Sequence, residues 1–444
     1  MSIVVIGAGL AGLTAAADLV EQGHEVVVLE ARQRVGGRTH GIEVKTGVWT
    51  DTGAAYLGYQ HTALHALIAR LGLSTAPTTM QGDSRFALGT LPVSCSGRFP
   101  PLSAIALGEM FELLDELTRS LRTDAPWLSP NAAALDTQTA AQWAEENLKH
   151  ADARLFFPLF IGEMMAADPK DISVLHMAFY LRSGGGIRYL NAFEGGAQES
   201  RVANGAHHLC TALAGRLGER VHVNSAVRAI HQEADVVTVK TERKTFRADA
   251  VIVALPPLLA DAIDYQPTLP TRRATAHTAP GCVVKVHLIY PTPIWRTYGL
   301  SGWSVSSNGP MLSTVDDSPS DNSVGVLTGF ITGSEAHHFS ALSQAAQREA
   351  VMNQVRTLFS QLPEPTAYHA TDWLNDEFSR GCYAALFGPG DWIKLGPHMT
   401  EPHGRIHWAG TETSTEFFGL MEGAIRSGHR VANEITELFQ LEIS

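Results

Sequence analysis

The chain has 444 residues, 45% of them hydrophobic and 18% charged, and a formal net charge of −12. That length suits two domains of ordinary size, and the balance is that of a folded globular protein rather than a disordered one. The negative charge argues against nucleic acid or an anionic membrane surface as a partner. Cys95, Cys210, Cys282 and Cys382 form no Cys-x-x-Cys pair and no metal-ligand spacing, so the expectation is a reducing, cytoplasmic setting and no bound metal. The first strand is expected from residue 3, so no leader peptide is expected. The apolar stretch 155–167 contains Pro158, Gly162 and Glu163 and is too short to span a bilayer, so no membrane anchor is expected.

Ile3-Val4-Val5-Ile6 reads as a buried strand that runs directly into Gly7-Ala8-Gly9-Leu10-Ala11-Gly12. A helix over 13–20 and a second parallel strand over 25–30 follow, which places the glycines at a strand-to-helix turn. Gly7 permits the tight turn, Gly9 lets the backbone approach a pyrophosphate, and Gly12 lets helix and strand pack closely; the helix N-terminus offers free amides to phosphate. Glu30, at the end of the second strand, is placed to accept from a ribose hydroxyl. Arg34-Val35-Gly36-Gly37-Arg38-Thr39 then forms a second glycine turn, whose two arginines suit the same pyrophosphate. From here the sequence resembles the flavin-dependent amine oxidases, whose FAD-binding unit is followed by this Arg-x-Gly-Gly-Arg element. The resemblance implies FAD rather than NAD, and places Leu10, Ala11, Ala31, Arg32 and, further on, Val227 against it.

After a short strand and loop over 48–56, a helix is expected over 61–71 and an antiparallel segment over 78–101. Helices over 104–121, 137–148 and 151–167 follow by apolar spacing, closed by Gly184-Gly185-Gly186. Short strands then return at 221–223, 235–241 and 248–254, with further strands at 282–290, 323–331 and 405–410 and helices at 340–362 and 419–438. The expected fold is α/β: a Rossmann-type FAD-binding domain from residues 1–77, 200–272 and 390–444, interleaved with an α+β substrate-binding domain from 78–199 and 273–389.

The resemblance covers almost the whole chain and is strongest at its ends. Trp408-Ala409-Gly410-Thr411-Glu412-Thr413 and Gly419-Leu420-Met421-Glu422-Gly423-Ala424 are similar to the family's C-terminal FAD element. The glycines at 419 and 423 are expected to keep a helix N-terminus clear for an anion, with Gly410, Thr411, Leu420 and Met421 against the cofactor. Lys285, mid-strand among valines, would ordinarily be a surface side chain; the resemblance instead makes it the lysine that holds a water near flavin N5. Ser379-Arg380-Gly381-Cys382-Tyr383 is similar to the segment that carries the covalent flavin thioether in some relatives, which makes Cys382 the candidate attachment point, with attached and unattached FAD both open. The same segment makes Tyr383 one aromatic wall of a substrate cage. The second wall falls on Leu420, a departure that Phe417 or Phe418 could make good from the preceding turn or that leaves the cage open on one side. Tyr56, Phe99, Met164, Tyr189, Leu190 and Gln198 are further cavity candidates by position. Glu163 stands where the family presents apolar side chains; a buried carboxylate needs a partner, which suggests a second cationic or polar group on the substrate.

The resemblance thus implies an amine oxidase. Hydride transfer from a small-molecule amine gives an imine, then an aldehyde or ketone and ammonia, with O2 reduced to hydrogen peroxide. An L-amino-acid oxidase, which would need an arginine such as Arg98, Arg182 or Arg188 for the carboxylate, and a desaturase on the same scaffold remain alternatives, with a non-catalytic flavin-binding protein further off. A homodimer is compatible with the sequence.

Overall fold

The computed structural model describes residues 1–89, 91–233, 235–273 and 278–443. Ser2–Ile6 is the middle strand of a five-stranded parallel sheet, in the order Val221–His222, Glu25–Leu29, Ser2–Ile6, Ala250–Val253, Ile406–Trp408. Its side chains alternate between two cores. Ile3 and Val5 pack with the helices Leu10–Glu21, His207–Leu217 and Met421–Ile443. Val4 and Ile6 pack against a four-stranded sheet made of Thr245–Ala248, Val236–Thr241, Val227–Glu233 and Asp264–Gln266. Burial on both faces is why the sequence there is a continuous apolar run.

A seven-stranded mixed sheet forms the second layer, in the order Ala367–Asp372, Val283–Tyr290, Gly325–Thr332, Ser313–Asp316, Leu300–Ser306, Asp83–Ala87, Val93–Ser96. Helices Gly333–Ser340 and Gln344–Leu358 cover one face and receive Val284, Val286, Leu288 and Tyr290. Lys285 and His287 alternate to the other face, yet all eight residues of that strand are buried. This face meets the end of strand Val48–Asp51 and the loop after it instead of water, so the surface reading of Lys285 does not apply. The helices Ala104–Arg119, Ala140–Asn147, Ala151–Met165 and Val174–Ser183 enclose a further core around Phe157, Ile161, Leu175 and Phe179.

Several boundaries move for local reasons. The helix expected over 137–148 becomes Ala132–Thr137 and Ala140–Asn147, because Thr139 and Gln142 close a reciprocal capping box. The helix expected over 340–362 is shortened to Gln344–Leu358, capped by Ser343 through the amide of Ala346, and a separate helix, Gly333–Ser340, precedes it. Val174–Ser183 was not anticipated; nine of its ten residues are buried, which erases the one-sided pattern that marks a helix. Among the described residues no helix is long and apolar enough to cross a membrane.

Candidate active site and cofactor cradle

The first glycine turn is fixed by close contact. Gly7 has φ +101°, and a Cβ there would lie 2.6 Å from the Ala254 carbonyl oxygen. A Cβ at Gly12 would lie 2.1 Å from the Gly7 oxygen, so Gly12 lies behind the turn and packs the helix onto it rather than facing a ligand. Gly9 differs: a Cβ there meets nothing within 4 Å. The second turn docks on the first through Gly36, whose amide donates to the Ala8 oxygen at 2.8 Å. Buried Glu30 accepts from the Ala8 amide through Oε2 and from the Arg32 amide through Oε1, both at 2.9 Å. Arg34 does not grip a phosphate as expected; its guanidinium donates to the carbonyls of Val35 and Gly37 and fastens its own turn. Arg38 does reach the cavity, but its charge is met by Glu412 in a two-pronged pair at 2.6 and 3.0 Å.

These turns open onto a cavity of about 400 Å³ that also reaches the seven-stranded sheet. Gly7, Gly9, Leu10, Ala11, Glu30, Ala31, Arg32, Gly36, Gly37, Arg38, Val227, Gly410, Thr411 and Met421 line its nucleotide side. Tyr56, Phe99, Glu163, Met164, Leu190, Gln198, Lys285, Cys382, Tyr383 and Leu420 line the remainder. Phe99 is 70% exposed and forms the lip. An open-sided glycine turn joined to an apolar chamber fits a dinucleotide carrying a redox-active ring, with Gly9 and Gly37 leaving room for the pyrophosphate and Glu30 holding acceptor capacity for the ribose. Gly9→Ala is expected to leave the melting temperature of flavin-stripped protein unchanged while lowering the FAD retained per chain. Gly12→Ala is expected to destabilise the fold by about 3 kcal/mol or more through backbone collision. Melting curves with flavin counting separate the two.

Four expectations are corrected. Tyr189 packs edge-on against Tyr59 and His61, and its hydroxyl accepts from the Gln60 amide, so it is turned away from the chamber and does not line it. Phe418 is buried in the helical core against His176, Phe179 and Phe387. Phe417 meets His61 edge to face. The cause is the backbone, which is anchored by the Phe417 amide on the Ser183 oxygen and turns at Phe417 (φ +53°) and Gly419 (φ +82°). Neither phenylalanine supplies the second wall. Gly423, finally, does not clear a helix N-terminus; a Cβ there would lie 2.2 Å from the Phe417 oxygen, so it admits the preceding turn. Sequence reasoning missed Tyr180, which lines the chamber beside Gly419, whose Cβ would lie 3.2 Å from the Tyr180 ring. Trp303 and Phe330 line it as well.

The charges beneath the chamber are organised around Lys285. Its Nζ donates to the carbonyl oxygens of Asp51 at 2.6 Å and Gly53 at 3.1 Å, and sits over the rings of Phe330 and Tyr56 at 5.3 and 5.9 Å. Burial lowers its pKa, while Asp317 and Asp51 push it back up. Burial raises Asp51 to about 7. Burial also works against ionised Asp317, but Arg201 at 3.1 Å and Lys285 together hold it below the usual carboxylate range. Tyr56 donates its hydroxyl to Asp317 at 3.0 Å. Burial pushes the Cys382 thiol up to about 11, against the opposing pull of Arg38 and Lys285.

Glu163 has no such company. Part of the residue fronts the cavity, but Oε2 is closed off and has no hydrogen-bond partner in the chain. Burial raises its pKa from 4.5 to about 7; Ser313 favours the charged form, although its hydroxyl completes no hydrogen bond of good geometry. Glu163 of the unfolded chain ionises near 4.5 and of the folded chain near 7, so the fold loses stability as pH rises between the two. The loss is complete above 7, at about 3 kcal/mol. Glu163→Gln is expected to raise the melting temperature at pH 8 and leave it unchanged at pH 4.

Fold and site together define a dinucleotide-binding oxidoreductase with an apolar reaction chamber. The chain belongs to the flavin-containing amine oxidoreductase family, whose model matches residues 10–436. It is 35% identical to a probable flavin-containing monoamine oxidase A of Dictyostelium discoideum, over 98% of this chain and 97% of that one. It is 32% identical to a flavin-containing amine oxidase of Danio rerio, over 98% of this chain and 85% of the relative. Cyclohexylamine oxidase from Brevibacterium oxydans superposes with a TM-score of 0.93 at 31% identity, over 99% of both chains. Putrescine oxidase bound to putrescine superposes with a TM-score of 0.93 at 30% identity, over 98% of this chain and 99% of that one.

Proposed function

We propose that this protein is an FAD-dependent oxidase of a small-molecule amine, giving an imine that hydrolyses to a carbonyl compound and ammonia. The supporting observation is the single cavity that runs from the two glycine turns to a chamber bounded by Lys285, Tyr383 and Tyr180. Bound FAD would supply the two-electron chemistry, accepting hydride from the amine's α-carbon at N5 and returning the electrons to O2 as peroxide. The chain's own part is desolvation and orientation. The apolar lining disfavours an ammonium ion and so favours the reactive free base. Tyr383 and Tyr180 present aromatic surface to the C–N bond, and Lys285 holds a water and a positive charge at the chamber floor. Residues 1–77, 200–272 and 390–444 form the FAD-binding domain in this reading, and 78–199 with 273–389 the substrate domain.

Cys382 lines the cavity, within this reading beside the flavin ring, but its raised thiol pKa works against spontaneous thiolate attack at neutral pH. Acid precipitation tests it: a yellow supernatant means FAD is held without a covalent bond, a yellow pellet means the link exists. The reaction itself is tested by product balance, with equal amounts of carbonyl compound, ammonia and hydrogen peroxide per amine consumed.

A carboxylate-bearing substrate is a second reading, favoured by Arg98 alone. Arg98 lines the cavity, lies over the Phe193 ring at 5.1 Å and donates to the Asn191 oxygen at 2.8 Å. Arg182 and Arg188 are exposed, and Arg188 faces Glu112 at 3.7 Å. Reduction of the flavin by amino acids but not by amines would establish this second reading.

A further inference from the structure

The helix Ala151–Met165 turns one stripe toward the cavity: Phe156, Leu159, Phe160, Glu163 and Met164, spaced i, i+3, i+4, i+7 and i+8. Four members of the stripe are apolar and one is an acid. A structural glutamate would lie on the opposite face of that helix, where water could solvate it. Glu163 is held on the cavity face because the helix packs closely just before it; a Cβ at Gly162 would lie 2.9 Å from Leu312 Cδ1. Among the described residues Glu163 makes no ion pair, and Oε2 has no partner. An acid in such a place is satisfied either by staying protonated or by a cation that arrives with a ligand.

The position of the carboxylate decides which part of a ligand it can serve. Ser313, the residue that acts on Glu163, and Lys285 lie in register on either side of Phe330 in the seven-stranded sheet. Glu163 therefore stands over a strand two places from that of Lys285, roughly 10 Å across the sheet. A carboxylate beside the reacting nitrogen would hold it as ammonium, the unreactive form. The carboxylate is consequently suited to a charge on the substrate that does not react.

We infer that Glu163 is the anchor of a second subsite, which binds a spectator ammonium group of the substrate, so that the preferred substrate is a short α,ω-diamine rather than a monoamine. This rests on the amine-oxidase reading and narrows it. The diamine enters with both ends charged, loses a proton to solvent from the end nearer Lys285, and leaves the other end paired with Glu163. No covalent step is added.

The test uses the flavin-loaded protein mixed anaerobically with 1,4-diaminobutane, 1,5-diaminopentane or 1-aminobutane, with half-saturation and limiting rate of flavin reduction read separately. The wild-type protein is expected to saturate with a diamine at much lower concentration than with 1-aminobutane. Glu163→Gln is expected to raise the diamine-to-monoamine ratio of half-saturation concentrations by about 30-fold or more, the scale of losing one partner of a buried charged pair. Glu163→Asp is expected to recover part of the preference, which a packing effect would not. A wild-type protein with no preference for diamines, or a Glu163→Gln ratio within about threefold of wild type, overturns the inference while the amine-oxidase reading stands. Equal slowing of limiting rates for both amine classes overturns it too, and makes Glu163 a proton acceptor instead. Failure of every amine to reduce the flavin removes the functional reading itself.

Discussion

Lys285→Met is expected to give a folded, yellow protein in which the return of electrons to O2 is slowed by about 100-fold, the scale of removing one preorganised charged donor from a reaction centre. In the proposed reaction Lys285 supplies the positive charge, and its Nζ is fixed by the carbonyls of Asp51 and Gly53. That rigidity places the charge in advance, so no reorganisation is needed when negative charge develops on oxygen. Methionine keeps the length and the apolar stem and removes only the charge and its donors. Two carbonyl acceptors are then left unmet, with an expected stability loss of about 1–3 kcal/mol. Stopped-flow mixing of pre-reduced protein with oxygenated buffer reads the rate directly. An unchanged reoxidation rate would exclude Lys285 from this step.

The second large effect is structural and bears on cofactor retention. Glu412→Ala is expected to destabilise the protein by about 3 kcal/mol, because it leaves a guanidinium that is only 20% exposed without its partner. Only 2% of the Glu412 side chain is exposed, and it receives both prongs of Arg38. Arg38 in turn donates to the Tyr383 oxygen at 2.8 Å. The pair thus ties the second glycine turn, the Cys382-Tyr383 segment and the Gly-Thr-Glu-Thr turn to one point. Flavin loss at lower urea concentration than in the wild type should accompany the drop in melting temperature. The double variant Arg38→Met with Glu412→Leu is expected to recover much of the stability but not the flavin affinity. A melting temperature unaffected by Glu412→Ala would show that water replaces the pair at no cost.

Legibility in the sequence followed the kind of constraint. The first glycine turn was readable because each glycine answers a steric demand: positive φ at Gly7, a 2.1 Å collision at Gly12 and open space at Gly9. The strand around Lys285 was readable from its alternation, but which face met water was not, since a second layer covers the polar face. Glu163 stood out because an acid in an apolar helical stripe is a local anomaly. Tyr180 was invisible, as it lies in a helix buried almost all round, without a one-sided pattern. Phe418 was misplaced because the positive-φ positions on either side of it, Phe417 and Gly419, send it into the helical core while Leu420 faces the cavity. The Arg38–Glu412 pair joins residues 374 apart, a distance at which no periodicity or motif spacing carries information.

The most direct measurement is the visible absorbance of the purified protein under anaerobic conditions, titrated with alkyl, aryl and diamines and with common amino acids. The account predicts that amines bleach the flavin band, that diamines do so at the lowest concentrations, and that admitting air restores the band with release of hydrogen peroxide. A band that persists with every amine, yet bleaches with dithionite, would contradict it.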